Sequence, residues 1–390
     1  MMQITDPPTI SAARIRIGAA SSLLRMAAIV IFAAATGCVT QPNPSLAAGD
    51  TSLSGGEGPS LLPVHDGSEA TGDEETGETA LPITTEPWSF GERKGVRVTT
   101  PHYRIHTTIQ HDNLVEHLPA FYESALEHYT TALTDLPLPE KPLESYIFQT
   151  RLEWKAKTRQ MLPDEYATFE NLGRGGFTTR GIAVLYYIDS SGRSRSTLSI
   201  AAHEGWHQYS QMTFRNPLPI WLEEGLAAYM ESFRLSRAGT VRFRPSYNRE
   251  RSSALRKAAH LGNLVKLEEL LRHTPQTFLE RKGRDALLVY YAQVWALARF
   301  LAEGADGRYR EGLEDLLRDA AEGRLAGRLL RSTALTSGRQ KRAAVSSRVG
   351  RAAALEYFNR DWAAFEDEYD AYVKGLAGTR TDRGRRGGRR

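Results

Sequence analysis

Two histidines, His203 and His207, stand four residues apart in the stretch His-Glu-Gly-Trp-His, and Glu204 directly follows the first. On a helix the two imidazoles leave the same face about 40° apart, and Glu204 lies one turn from His207. This H-E-x-x-H arrangement can hold Zn²⁺ with two neutral imidazoles while the carboxylate accepts a proton from a metal-activated water. Three fixed positions are only moderately specific, so the rest of the chain must supply what a zinc site still lacks.

The missing component is a third protein ligand, because a catalytic zinc ion takes three protein ligands and keeps one position open for water. Glu223 and Glu224 are the candidates, and they lie in the stretch Trp-Leu-Glu-Glu-Gly that follows His207. The apolar residues directly before them, 219–222, indicate that one of the two carboxylates points inward. The alternative is that both lie on the surface of a helix start, where the helix dipole favours negative charge.

The two motifs together resemble the gluzincin metallopeptidases, the superfamily of thermolysin and aminopeptidase N. The chain is most similar to the peptidase-MA-like domains of exported bacterial proteins, over about residues 95–375. The resemblance implies a zincin-like α+β fold and one Zn²⁺ per chain. The family's third ligand directly precedes the glycine of the motif. The resemblance therefore also implies that His203, His207 and Glu224 bind the metal and that Glu223 occupies a variable position of the motif.

The resemblance further implies roles for residues outside the ligand set. Glu204 is expected to act as the general base, and a tyrosine at the start of a later helix is expected to stabilise the oxyanion. Tyr291 is the better match for that tyrosine and Tyr290 is in reserve, with a buried packing aromatic as the equally weighted alternative. The strand 181–189 corresponds to the family's edge strand above the zinc, which pairs with the substrate backbone.

Three other features near the motifs refine the expectation. Glu231 could orient a ligand histidine, but an exposed charge is the interpretation that we favour. Gly205 and Trp206 are expected to be packing residues. The chain has no G-x-M-E-N-like exopeptidase motif, so we expect an endopeptidase.

Several functions share these residues. The leading hypothesis is a zinc metallopeptidase that hydrolyses peptide bonds. The alternative is a catalytically silent zinc-binding domain that binds peptides or envelope components, although such a site has no need of Glu204. Hydrolysis of a non-peptide amide or ester uses the same residues and stays open. No basic patch with interleaved aromatic residues predicts a nucleic-acid partner.

The N-terminus predicts export and anchoring. Three arginines precede an apolar run at 26–36, which is too short to span a bilayer but suits a signal peptide. The run ends in Ala-Thr-Gly-Cys, which resembles the cleavage box of bacterial lipoproteins. Cys38 is the only cysteine, so no internal disulfide can form, and an acylation site explains it best. We expect a lipoprotein anchored through Cys38 and facing the periplasm or the cell exterior.

Changes in amino-acid composition along the chain predict its division into domains and linkers. We expect a signal peptide at 1–37, a disordered tether at 38–90, an N-terminal α+β part at 91–195, a helical part with the zinc site at 196–376, and a basic disordered tail at 377–390. The net charge of +4 and the apolar fraction are ordinary for a globular protein. The predicted fold is therefore a small mixed sheet and an active-site helix, followed by a mainly helical subdomain.

Hydrophobic periodicity predicts the individual elements. One or two strands are expected within 96–109, with Pro101 at an edge or a turn, and further strands at 146–150 and 181–189. The expected helices are 113–133, 152–162, 197–212, one that starts near Pro219, 254–271 with breaks, 286–301, 312–321 and 361–376.

Overall fold

The computed structural model describes residues 28–29, 82–110, 112–167, 175–188, 195–236 and 240–378. Cys38, most of the predicted signal peptide and tether, and nearly all of the basic tail lie outside these ranges. The described chain is a mixed α+β fold in which helix predominates. Within it, no helix is both long and apolar enough to cross a bilayer.

The strands of the described residues belong to two sheets. They are β1 (Ala28–Ile29), β2 (Thr84–Phe90), β3 (Arg93–Thr99), β4 (Tyr103–Thr107), β5 (Leu143–Phe148), β6 (Gly176–Thr179), β7 (Ile182–Tyr186), β8 (Phe233–Leu235) and β9 (Val241–Phe243). The large sheet has the order β1-β6-β7-β5-β4-β3-β2, and β8 pairs with β9. It is a mixed sheet, because β5 runs parallel to both β4 and β7 while the other neighbours are antiparallel.

Most of the helices follow the sheet strands in the chain. They are α1 (Asp112–Thr131), α2 (Arg151–Met161), α3 (Arg195–Thr213), α4 (Ile220–Met230), α5 (Arg249–His260), α6 (Leu267–Arg272), α7 (Pro275–Glu303), α8 (Arg310–Glu322), α9 (Leu325–Arg331), α10 (Gly338–Ser347), α11 (Ala352–Tyr357) and α12 (Trp362–Leu376). A non-helical residue, Gly283 with φ of 76°, interrupts α7. The predicted change from strands plus helices to nearly all helix is confirmed.

Two expectations about the strands are wrong, and one strand was not expected. No secondary structure was expected in the tether predicted at 38–90, yet β2 begins at Thr84. The glycine-rich segment before 181–189 contains an additional strand, β6, joined to β7 through Arg180 and Gly181, which both have positive φ. Two-residue hairpin turns with positive φ are usually signalled by Asn-Gly, so the Arg-Gly sequence did not predict this hairpin. Finally, β7 lies between β6 and β5, so it is not the edge strand that the resemblance implied.

Helix α3 is the buried element that carries the H-E-x-x-H motif. Every residue from Ile200 to Ser210 is buried, and the helix packs on β5, β6 and β7 and against α1 and α4. A helix buried on all sides needs small residues where neighbours approach closely. Tyr129 of α1 donates its hydroxyl to the carbonyl oxygen of Ala202 at 2.7 Å, and a Cβ at Gly205 would lie 2.6 Å from that hydroxyl. Gly205 is therefore a packing residue, as predicted.

Helix α4 lies between α3 and α7, and a glycine sets how closely it approaches α7. A Cβ on Gly225 would lie 2.6 Å from the carbonyl oxygen of Val294 and 3.3 Å from Cβ of Ala298. The first of these atoms belongs to helical backbone, which cannot move aside locally. The glycine directly after Glu224 thus holds that carboxylate at its place between the two helices.

We predict that Gly225→Ala lowers the free energy of unfolding by about 1–3 kcal/mol, because the added methyl group forces the crossing apart. Gly375→Ala is the matched control, since Gly375 lies in α12 with no atom within 4 Å of its would-be Cβ. That control is expected to be neutral or to stabilise by up to about 1 kcal/mol. Urea unfolding of the chelator-treated proteins measures both, and equal stabilities for the two variants would contradict the packing argument.

Candidate metal centre

Helices α3 and α4 bring together the three residues that the motifs single out as ligands. Nε2 of His203 lies 3.6 Å from Oε2 of Glu224, and Nε2 of His207 lies 3.5 Å from the same oxygen. All three side chains are buried, and their ligand atoms lie within 4.8 Å of one another. This His-His-Glu group could hold a metal ion, and it is the one such group found among the described residues.

The spacing and the bonding of these atoms fit a tetrahedral ion. Metal–ligand bonds of about 2.0–2.1 Å place neighbouring ligand atoms about 3.3–3.4 Å apart, slightly closer than the distances seen here. Those distances are too long for hydrogen bonds. Accordingly, Nε2 of His203, Nε2 of His207 and Oε2 of Glu224 are all buried without a hydrogen-bond partner. Buried polar atoms are nearly always paired, so three orphaned atoms facing one another point to an ion.

The opposite nitrogen of each imidazole is held by a carboxylate. Nδ1 of His203 lies 2.9 Å from Oε2 of Glu231, and Nδ1 of His207 lies 3.1 Å from Oε1 of Glu223. A carboxylate can only accept here, so each Nδ1 carries a proton and each Nε2 is the nitrogen that faces Glu224. Such carboxylate–histidine pairs are typical of metal centres, where they fix the tautomer and the ring orientation.

Glu231 is a correction to the sequence analysis, which favoured an exposed charge. Its side chain is only 3 % exposed, and besides His203 it contacts Arg251 and Asn248. Arg251 donates through Nε and Nη2 to the two carboxylate oxygens at 2.9 and 3.1 Å, and Asn248 donates at 2.6 Å. Burial alone would raise the pKa of Glu231, but Arg251 and His203 outweigh it and hold that pKa at about 2. Glu231 therefore stays ionised and orients His203.

Glu223 is a second correction, because the motif comparison left it at a variable place. Its Oε1 accepts hydrogen bonds from Ser210 Oγ at 2.5 Å and from His207 Nδ1. Glu223 is thus buried beside the ligand set and orients His207, while its neighbour Glu224 faces the two Nε2 atoms. The apolar residues before the pair predicted that one of the two carboxylates points inward. In the structure both of them do.

Without an ion, protons compensate the buried charge of this cluster. Burial opposes ionisation of Glu224, but His207 and His203 more than offset that effect and lower the pKa of Glu224. Burial likewise disfavours a charged His207, yet Glu224 and Glu223 together raise its pKa above the ordinary value. A metal ion must displace that imidazole proton, so ion and proton compete for Nε2 of His207.

Glu204 lies in the same buried space with one free oxygen. Its Oε2 accepts a hydrogen bond from Oγ1 of Thr178 in β6 at 2.7 Å, whereas its Oε1 has no partner. Burial, only partly offset by His207 and His203, raises the pKa of Glu204 to about 7. A Cβ on Gly176 would lie 3.1 Å from Cγ of Glu204, so the glycine allows β6 to approach this carboxylate. Thr178 belongs to no motif and was not anticipated.

The tyrosine pair of α7 lies beside the centre. The ring of Tyr291 meets the ring of His203 edge to face at 6.0 Å, and the guanidinium of Arg251 lies 5.1 Å from the Tyr291 ring. Tyr290 packs against Tyr291 at 5.6 Å, and its buried hydroxyl has no hydrogen-bond partner. Both tyrosines lie in the part of α7 that follows the non-helical Gly283, about two turns after that residue. The resemblance had implied a tyrosine at the start of a helix. Their hydroxyls carry high pKa values because of burial and of the nearby Glu224.

One side of the centre opens into a cleft of about 240 Å³. Its wall includes His207, Glu223 and Glu224, together with Arg348, which follows α10. The ligand set is therefore reachable from the surface on the side of His207 and Glu224.

Comparison of the sequence with protein-family models finds no match, and comparison with curated proteins finds no match either. The gluzincin resemblance thus stays a prediction that rests on the two motifs. The metal centre stands on its own geometry, namely three converging ligand atoms with a carboxylate behind each imidazole.

We predict that Glu223→Gln weakens zinc binding about 10- to 100-fold, because a carboxamide polarises Nδ1–H of His207 less than a carboxylate does. Titration with a competing chromogenic chelator measures the affinity. Glu268→Gln is the control, since Glu268 is an exposed carboxylate of α6 that pairs with Arg272 at the surface. An affinity of the Glu223 variant equal to that of the control would remove Glu223 from the centre.

Proposed function

We propose that the chain is a zinc metallopeptidase of the gluzincin type with a zincin-like arrangement, most consistent with an endopeptidase. The observation that carries the proposal is a set of four buried polar atoms without hydrogen-bond partners: Nε2 of His203, Nε2 of His207, Oε2 of Glu224 and Oε1 of Glu204. Two imidazole nitrogens and one carboxylate oxygen suit Zn²⁺ and leave one coordination position open. The fourth atom is a carboxylate acceptor of Glu204, which is buried near enough to His207 and His203 for both to affect its pKa.

Each residue of the site has a separate role in the proposed hydrolysis. Zn²⁺, when bound by His203, His207 and Glu224, would polarise the scissile carbonyl and lower the pKa of the attacking water. Glu204 accepts the proton of that water on Oε1 and afterwards delivers it to the leaving amine. Thr178 keeps Oε2 of Glu204 engaged, so Oε1 is the oxygen that carries the proton. Tyr291, or Tyr290 in its place, stabilises the oxyanion.

The alternative, a silent zinc-binding domain for peptides or envelope components, makes no use of Glu204. Two observations favour catalysis over it. Burying a carboxylate oxygen with no partner is unfavourable, so a site without turnover would gain from an apolar residue there. The hydrogen bond from Thr178 to Oε2 also fixes this carboxylate and leaves Oε1 as the oxygen that can accept a proton.

We further propose that the protein is an exported lipoprotein, anchored in the membrane through acylated Cys38 and acting on peptides or proteins of the envelope. The support is the sequence around Cys38 and the composition of 39–81, which suits a tether. Two or more acyl chains anchor a protein stably, whereas one is marginal.

We predict that Glu204→Gln keeps its zinc but loses peptide cleavage by a factor on the order of 10² or more, because the amide cannot accept the proton. Zinc-loaded wild type and variant are incubated with a broad peptide library, and the products are read by mass spectrometry. Glu268→Gln, again the surface control, is expected to retain full activity. A wild type that holds zinc tightly and cleaves no peptide would contradict the proposal and favour the binding domain.

We predict that radiolabelled palmitate is incorporated into the protein in a bacterial host and that Cys38→Ser abolishes the label, because the chain has no other cysteine. The variant should also move from the membrane fraction to the soluble fraction. Labelling that persists in Cys38→Ser would contradict acylation at this residue.

A further inference from the structure

The cleft beside the metal centre contains a cation with spare hydrogen-bond donors. Arg348 lines this cleft together with His207, Glu223 and Glu224. Its Nε donates to the carbonyl oxygen of Leu218 at 2.7 Å, and its two terminal amino groups form no hydrogen bond or ion pair with any described residue. A guanidinium has five N–H donors. Four of the five thus have no partner among the described residues.

The backbone holds Arg348 at a defined place relative to the ligands. Its φ of 58° is in the left-handed region, which is uncommon for a residue other than glycine. Its carbonyl oxygen accepts a hydrogen bond from the backbone N–H of Ile220, the first residue of α4, at 2.8 Å. The same helix carries Glu224. Arg348 is the C-cap residue of α10, where a left-handed conformation is common, so the hydrogen bond to Ile220 is the contact that ties it to the ligand helix.

The surroundings of Arg348 favour an anionic partner. The segment 324–351 contains no acidic residue. Its basic residues are Arg324, Arg328, Arg331, Arg339, Lys341, Arg342, Arg348 and Arg351. Those of α10, namely Arg339, Lys341 and Arg342, form no ion pair with any described residue, and α10 also contributes Ala344 and Val345 to a hollow that Arg348 lines on its other side. These three basic side chains do not line the cleft itself, but uncompensated positive charge on a neighbouring helix attracts anions.

Resting on the peptidase function proposed above, we propose that Arg348 determines specificity by binding a carboxylate of the peptide substrate close to the scissile bond. The planar fork of a guanidinium matches a carboxylate with two parallel hydrogen bonds. The carboxylate comes from an aspartate or glutamate side chain or from a free C-terminus, and both sources present the same group. The competing structural role is that of a counter-ion for Glu223 and Glu224, which both attract Arg348 while burial lowers its pKa.

Two matched peptide pairs test the proposal, built around a cleavage site from the library. One pair differs only by aspartate or asparagine next to the scissile bond, and the other only by a free or amidated C-terminus nearby. We expect kcat/KM of wild type to favour the acid in one pair by about 10- to 100-fold, mainly through KM. Arg348→Gln should lose this preference and keep its activity on the neutral peptide within about threefold. Arg348→Lys should keep part of the preference, because lysine is a charge without the fork.

Arg308→Gln is the control for loss of one positive charge, since Arg308 pairs with Glu368 at the surface. Melting temperatures and zinc contents are measured for every variant. A wild type without preference in either pair overturns the proposal whatever the variants do. Equal losses on acidic and neutral peptides in Arg348→Gln overturn it too, in favour of the counter-ion role.

Measurements of peptide binding test this proposal independently of the peptidase function. The same four peptides are titrated into the zinc-loaded proteins by calorimetry. When the library gives no cleavage site, the two pairs are instead made on one fixed neutral sequence, with a central aspartate or asparagine and with a free or amidated C-terminus. Absence of cleavage with tighter binding of one acidic peptide, lost in Arg348→Gln, rejects the peptidase function and supports the carboxylate site. Equal binding of both members of each pair, or no binding at all, rejects the carboxylate site.

Discussion

The structure depends on the compensation of ionisable groups that are buried together. Removing a charge from water without a partner is one of the largest penalties in a protein interior. Glu231 is compensated by Arg251, and the Nδ1 atoms of both histidines are engaged by carboxylates. Glu224 and the two Nε2 atoms have only one another, at distances that allow no hydrogen bond. A divalent cation between them would satisfy all three, so binding of such an ion would also stabilise the folded core.

The scaffold around the centre consists of close helix packing, with small residues at the contacts. Gly205 lets α1 approach α3, and Gly225 lets α7 approach α4. These contacts fix the two helices whose side chains face each other across the centre. Because the second layer of carboxylates comes from α4 and its C-terminal end, any shift of α4 against α3 would disturb a ligand and both orienting groups at once.

The local parts of this site could be predicted from the sequence. Two histidines at a spacing of four share one helical face by periodicity alone. The choice of Glu224 over Glu223 as the third ligand came from the resemblance to the gluzincins. The other contacts join residues that are distant in the chain. Thr178 reaches Glu204 across 26 positions, and Arg251 reaches Glu231 across 20. No spacing rule indicates such pairs, and charged residues are usually exposed, so Glu231 was expected at the surface. Its position seven residues after Glu224, on the same helical face, was the one available signal.

The central claim is that His203, His207 and Glu224 hold a zinc ion, and anomalous diffraction at the zinc edge from crystals of the zinc-loaded protein tests it most directly. The account predicts one strong peak per chain, about 2.0–2.2 Å from Nε2 of each histidine and from a carboxylate oxygen of Glu224. It also predicts that Glu231 and Glu223 stay on the Nδ1 atoms. No peak at this place, or an ion there from which Glu224 has turned away, would contradict the account.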